Sequence, residues 1–257
     1  MKFAYSSAAI GVFACGLSLL SVSGASAQML TVLNPSFETP ALTDNMDALF
    51  DNTTAYNYTS VLGNSPAFGG STGQHAGIEN PSGKFTGDTT GTGSLTGAGG
   101  DGVQAAFMNL NGSGGNVTIT TAASFATVIL GTQYTLTAAV GNPTGGGTSL
   151  PGSFTIALLV NGTAATNFTL TNANTAVADS SFADFSTTFT ATAAQSGGAL
   201  TAQLFGVNQG TGNNNSQIFF DNIRVSEVVP EPSTWALMLC GAGLLVAIGA
   251  RRVSAKV

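Results

Sequence analysis

From Val103 onward, apolar residues fall at every second position in short runs separated by Gly and Asn. Tyr134, Leu136, Ala138 and Val140 share one face, with Thr135, Thr137 and Ala139 on the other. Ile156, Leu158 and Val160 line up in the same way, as do Phe185, Thr187 and Phe189. A period of two is that of a strand with one buried face. Thr on the outer face keeps strand propensity without adding charge. Strands are predicted over Val103 to Leu110, Asn116 to Thr120, Tyr134 to Val140, Phe154 to Val160, Ala164 to Leu170, Phe182 to Ala191, Leu200 to Val207 and Ile218 to Glu227. With turn signals such as Asn142-Pro143 and Asn161-Gly162 between them, they predict an all-β, jelly-roll-like antiparallel β-sandwich. Thr43 to Gly102 breaks the pattern. It is rich in Gly, Ser and Thr with few apolar anchors, and is read as long loops over one end of the sandwich.

Two stretches are apolar without alternation, one at each end. Lys2, the apolar run Ala8 to Leu20 and the small-residue site Ala25-Ser26-Ala27 form a secretory signal peptide over residues 1–27, so the mature chain is expected to start at Gln28. Thr234 to Ala250 is uncharged, begins beside Trp235 and is followed by Arg251, Arg252 and Lys256. A helix of that length reaches roughly 25 Å, at the short end of a membrane span. The basic tail places the C-terminus in the cytoplasm. The expected organisation is signal peptide 1–27, extracytoplasmic domain 28–229 and C-terminal segment 230–257 with a transmembrane helix over 234–250.

Composition then narrows the partners. Only 7% of the 257 residues are charged, against about a quarter in ordinary soluble domains. The body from Gln28 to Val229 holds two basic residues, Lys84 and Arg224, and eleven acidic ones. Nucleic acid is excluded as a partner, because there is no basic field to neutralise phosphates. Cys15 and Cys240 both lie outside the body, so an exported domain must hold together by its core, a metal or both.

Val229-Pro230-Glu231-Pro232-Ser233 stands just before the C-terminal apolar stretch. Pro-x-Pro is extended and non-helical, the form in which a protease binds a peptide. The order Pro-Glu-Pro, apolar segment, Arg251-Arg252 resembles the PEP-CTERM sorting signal of Gram-negative bacteria. That resemblance implies an exosortase-type processing enzyme as partner, with Pro230, Glu231, Pro232, Arg251 and Arg252 read by it. It also implies inner-membrane anchoring before processing, then a place at the cell surface or in the extracellular matrix.

Asp221 lies in Phe219-Phe220-Asp221-Asn222-Ile223-Arg224-Val225, on the same strand face as Phe219, Ile223 and Val225. A carboxylate on an apolar face is costly unless paired or bound to a cation. Glu38 ends Asn34-Pro35-Ser36-Phe37-Glu38. Were the first and last strands neighbours, Glu38 and Asp221 would meet, and two carboxylates with backbone carbonyls suit Ca²⁺. Alternatively Asp221 pairs with Arg224 or caps a turn, and Glu38 is solvated. The runs NPSFETP, DGVQAAFMNL and FFDNIRV resemble jelly-roll domains of the galactose-binding-like and carbohydrate-binding-module type. In such domains an early Glu and a late Asp help hold a structural calcium ion, which implies Glu38 and Asp221 here. The body has no Trp, and Tyr56 and Tyr58, read as loop residues, are the candidates for stacking on a sugar.

The single histidine, His75, sits in Gly-Gln-His-Ala-Gly and is read as a mobile-loop residue. No G-x-S-x-G elbow or phosphate loop is present. Asp88, Asp101 and Asp184 have no motif that distinguishes them from surface acids. The expectation is therefore a non-enzymatic, exported structural or adhesive component of biofilm or exopolysaccharide. A carbohydrate-binding module with a defined sugar site is the alternative, and a secreted hydrolase a more distant one.

Overall fold

The computed structural model describes residues 27–49, 54–63, 74–87, 94–111, 114–144, 153–171, 176–208 and 215–229, together with Gly241 and Gly243. The first sheet contains β1 (Gln28–Leu30), β2 (Met46–Leu49), β5 (His75–Asn80), β6 (Ala105–Asn111), β9 (Gln133–Asn142), β12 (Ser181–Thr190) and β14 (Asn215–Val228). The second contains β3 (Thr54–Ala55), β4 (Tyr58–Leu62), β7 (Asn116–Thr121), β8 (Ala126–Thr127), β10 (Ser153–Val160), β11 (Thr163–Thr171) and β13 (Ala199–Val207).

The first sheet runs β12-β9-β14-β6-β5-β2, with β1 beside the later half of β14; the second runs β11-β10-β13-β7-β4-β3, with β8 on β13. Every pairing is antiparallel. The molecule is thus an antiparallel sandwich of two sheets, and each of the eight predicted strands is present. The segment read as long loops holds four further strands, β2 to β5. They are short and interrupted by Gly and Asn, so their sequence carries no alternation long enough to detect.

The main core lies between the sheets. Tyr134, Leu136, Ala138, Val140, Ile156, Leu158 and Val160 are all buried there, as the alternation requires. Phe154 packs within 6.3 Å of the rings of Phe168, Phe185 and Phe220. Each large apolar side chain so buried contributes about 1.5–3 kcal/mol.

A second cluster occupies the outer face of the first sheet. Phe107, Ala139, Phe182 and Phe219 are covered there by Phe85, Leu95 and Ala98 from the connection between β5 and β6. Phe85 stacks on Phe182 at 4.5 Å and meets Phe219 edge-on at 5.1 Å. Ala139, expected to face away from the core, is therefore also buried. Gly141 makes room for this layer: a Cβ there would lie 2.5 Å from the Phe182 ring.

The expectation that Asp221 shares a face with Ile223 and Val225 fails at a β-bulge. The β14–β9 register shifts between Asp221 and Arg224, and Asn222 takes φ +48°. One extra residue inverts the alternation. Phe219 belongs to the outer cluster, whereas Ile223 and Val225 belong to the main core.

The expected signal helix and the transmembrane helix over 234–250 fall outside the described residues, apart from Ala27, Gly241 and Gly243. Among the described residues, no helix is long and apolar enough to cross a membrane.

Candidate functional site

The first and last strands are neighbours: Gln28 pairs with Glu227 and Leu30 with Val225. Beyond β1 the chain turns through Asn34 and Phe37, both at positive φ. Phe37 is buried with its ring 4.7 Å from that of Tyr58. The Ile223 N–H donates to the Pro35 carbonyl at 2.8 Å, which ties this turn to the bulge of β14. The Gln104 side-chain amide donates to the carbonyls of Phe37 and Pro40, each at 2.8 Å.

These ties bring three acids from distant segments together. Glu38 Oε1 accepts the N–H groups of Val103 at 2.8 Å and Gln104 at 2.9 Å. Asp221 accepts the N–H of Asp101 on Oδ2 and that of Asn222 on Oδ1 at 2.6 Å. Asp101 itself is exposed, and its Oδ2 accepts the Ser36 hydroxyl at 2.7 Å.

Burial governs the electrostatics. Asp221 is completely buried, and this pushes its carboxyl up to about 8, with the negative charges of Asp101 and Glu38 adding and the two N–H donors opposing. Glu38 is also raised, first by burial and then by Asp101. Tyr58 is raised by burial and by the charge of Asp221, and its hydroxyl donates to the Asn34 carbonyl at 3.2 Å. The body's two basic residues are committed elsewhere: Lys84 to Glu79, and Arg224 to Asp184. A proton and a cation are alternatives for offsetting the same buried charge on Asp221. Among the described residues no group of three His, Cys, Asp or Glu side chains converges tightly enough to hold a metal by itself. A cation here would therefore need backbone carbonyls or water beside Glu38 and Asp221, donors of the hard-oxygen kind that Ca²⁺ accepts.

The other sequence candidates lie elsewhere. Asp184 pairs with Arg224 on the surface, so the alternative of an Asp221–Arg224 pair does not form. His75, read as a loop residue, opens β5. Tyr58, read as a loop residue, is buried in β4, while Tyr56 is exposed in the turn before it. Gln28 begins β1, whereas Ala25, Asp88, Pro230, Glu231, Pro232, Arg251 and Arg252 fall outside the described residues.

Sequence reasoning missed a second polar network. Lys84 Nζ donates to Glu79 Oε1 and, at 3.3 Å, to Gln217 Oε1; the Gln217 amide donates to Glu79 Oε2 at 3.1 Å. It also missed a cavity of about 270 Å³ lined by Thr31, Val32, Leu33, Asn57, Thr121, Ala123, Ser124 and Phe125.

Residues 28–226 match the family described as HpiC1-like, HpiC1 cyclase. The chain belongs to this family. Residues 228–253 match the PEP-CTERM protein-sorting motif, which implies an exosortase-sorted surface protein, exported and membrane-anchored before processing. Among solved structures, the Stig cyclase FisC from Fischerella sp. TAU, in complex with (3Z)-3-(1-methyl-2-pyrrolidinylidene)-3H-indole, aligns at TM-score 0.59. The identity is 22%, over 80% of this chain and 100% of that one. A cyclase from Fischerella sp. TAU in complex with 4-(1H-indol-3-yl)butan-2-one aligns at TM-score 0.57 and 20% identity, over 79% of this chain and 99% of that one. A carbohydrate-binding module of the β-sandwich superfamily aligns at TM-score 0.43 and 11% identity, over 70% and 62% of the two chains. No curated protein matches the chain.

The cyclase family corrects the expectation of a non-enzymatic body. That expectation rested on missing signatures, namely a nucleophile elbow, a phosphate loop and any motif around His75 or the acids Asp88, Asp101 and Asp184. Ring-forming chemistry needs none of these, so their absence does not separate a cyclase from a non-enzyme.

Proposed function

We propose that the protein is an exported enzyme of the cyclase family, sorted to the cell surface or extracellular polymer, that acts on a small, largely apolar molecule bearing an aromatic ring. The observation that carries this reading is the extent of the family match, which runs from the start of β1 almost to the end of β14. Support comes from the indole-bearing molecules named with two cyclases of the same fold. The cavity agrees in composition: Val32, Leu33, Ala123 and Phe125 supply apolar wall, and Thr31, Asn57, Thr121 and Ser124 supply a few polar groups. A sugar site is less well supported, since Tyr58 is buried and the body lacks Trp.

We further propose that Glu38 and Asp221 hold a structural Ca²⁺ in place of the proton that burial would otherwise keep on Asp221. The ion would fasten the turn after β1 to the bulge of β14 and to the 101–104 segment. The affinity expected is that of extracellular modules, about 10⁻⁴–10⁻³ M.

The test uses the full chain and 4-(1H-indol-3-yl)butan-2-one. The ligand is expected to raise the melting temperature, and Ala123→Trp, which fills the cavity, is expected to abolish the rise. No response to indole-bearing ligands, with a response to one sugar but not its epimers, would replace this reading by the carbohydrate-binding one.

A further inference from the structure

One end of the sandwich gathers the start of β1, the turn at Tyr56–Asn57, the connection 122–132, the turn at Asn161–Gly162, the connection 191–198 and the end of β14. Backbone hydrogen bonds knit these segments together. The Val128 N–H donates to the Gly198 carbonyl at 2.8 Å, Gly197 to Val128 at 2.8 Å, Gly131 to Ala191 at 2.9 Å and Asn161 to Ala199 at 2.9 Å. The one charged residue in these segments is Glu227, next to the last residue of β14, although the body as a whole carries eleven acids against two bases. Glu227 lies opposite Gln28 and Tyr134.

At the tip of this end stand two consecutive aliphatic residues, Ile129 at 51% exposure and Leu130 at 57%. They are held outward by a built turn: the Ile129 N–H donates to the Tyr134 hydroxyl at 3.0 Å, and the Thr132 N–H returns to the Ile129 carbonyl at 3.2 Å. Turn tips ordinarily carry Gly, Asn, Asp or Ser, so adjacent exposed aliphatics there point to something that covers them. Met29 and Val229 add exposed apolar surface at the same end.

The chain itself indicates the occupant. Gln133, three residues past Leu130, pairs with Val228, the last residue of β14. Only residues 229–233, two of them proline, separate β14 from the seventeen-residue uncharged stretch that begins at Thr234. Five residues span at most about 18 Å when fully extended. With Thr234 to Ala250 embedded in lipid, this end is held within that distance of the bilayer surface. The acidic body is repelled by an anionic leaflet, and this end, with Glu227 as its one acid, is the part that approaches with the least of that penalty.

We propose that the Ile129–Leu130 end of the sandwich rests on the lipid bilayer while the C-terminal stretch is embedded. The domain then stands upright, with the Pro-Glu-Pro strip held at the membrane surface where a membrane-bound processing enzyme works. The proposal rests on the sorting reading, because it requires the chain to be anchored before processing.

The test uses the full chain with Cys15→Ser and Cys240→Ser, in vesicles of phosphatidylcholine and phosphatidylglycerol. An environment-sensitive thiol label is attached at Leu130→Cys or, at the opposite end of β11, at Thr171→Cys. Thermal unfolding of each labelled chain confirms the fold. The label at position 130 is expected to shift to the blue and to be quenched several-fold more than that at 171 by a lipid carrying a shallow nitroxide. Co-flotation with vesicles and equal quenching at both positions would overturn the proposal and leave the anchoring intact. A blue shift without lipid quenching would also overturn it, since a second copy of the chain would then cover the tip. Failure to co-float would remove the anchored reading and the proposal together.

Discussion

Gly102 and Glu38 occupy one another's space. Gly102 stands at φ +68°, and a Cβ built there would lie 2.2 Å from Glu38 Oε1, which accepts the adjacent N–H groups of Val103 and Gln104. The missing side chain therefore lets a backbone turn close around a carboxylate that came from a segment more than sixty residues earlier.

Gly102→Ala is expected to cost more than a left-handed backbone alone explains. Gly83 gives the comparison, with φ +66° and nothing within 4 Å of its notional Cβ. Gly83→Ala should lose about 1–2 kcal/mol, the cost of the left-handed region for an L residue. Gly102→Ala must also displace Glu38 from its two N–H donors, and hydrogen bonds to a charged group contribute about 1.5–3 kcal/mol each. Urea unfolding of both variants isolates the second effect as their difference, and equal losses would mean that Glu38 is not held there.

The burial of Asp221 predicts how stability varies with pH. Its carboxyl titrates near 8 when folded and near the ordinary Asp value when unfolded, so between these limits the folded state binds the extra proton. In metal-free protein the contribution of Asp221 is fully present below about pH 4 and is lost as pH rises through about 8, with a slope of at most about 1.4 kcal/mol per pH unit. Asp221→Asn should flatten that part of the profile. Calcium at Glu38 and Asp221 should flatten it as well, since the ion favours the ionised form, and a chelator should restore the slope. A profile that calcium leaves unchanged in the native chain would remove the metal and keep Asp221 as a proton-holding acid.

What was legible in the sequence follows from what repeats in it. The strands from Gln133 to Val228 advertise themselves because each packs one face on the main core, and period-two alternation records that contact directly. Ala139 misled, because the layer that buries it consists of Phe85, Leu95 and Ala98 from a connection with no period at all. Asn222 at φ +48° misled for a related reason: a bulge is one residue of excess, and alternation read straight through it inverts. Glu38 and Asp221 stood out as acids near apolar partners, and the β1–β14 pairing brings their segments together. Asp101 and Gln104 did not stand out, since a loop's approach to a carboxylate through its own N–H groups is a tertiary fact. The Glu79–Lys84–Gln217 network was hidden likewise, with Gln217 lying 133 positions from Lys84.

That network predicts an asymmetric response to mutation. Glu79 and Lys84 expose only 11% and 27% of their side chains. Lys84→Met removes the counter-charge from Glu79 and leaves a largely buried carboxylate with the Gln217 amide, and it also removes the cation lying 5.4 Å over the Phe219 ring. Removing one partner of a fully buried pair costs about 3–5 kcal/mol; partial exposure reduces this to about 2 kcal/mol here. Adding Glu79→Gln should recover most of the loss, because the amide can still bond to Gln217 and no charge remains. A double variant no more stable than Lys84→Met would show that packing of the lysine stem, and not charge balance, holds the network.

The two ends of the chain predict what is recovered from cells. Gln28 already pairs with Glu227 at the first position of β1, so export that removes residues 1–27 leaves the sandwich whole. Cleavage near Pro230 to Pro232 likewise spares β14, which ends at Val228. Intact mass measured on protein from the cell surface and the medium should therefore show a species beginning near Gln28 and ending near the Pro-Glu-Pro strip, folded and released. A species that keeps Thr234 to Val257 would mean that the sorting enzyme leaves the anchor in place. The body would then work permanently against the membrane, and its substrate would have to be one that reaches the lipid surface.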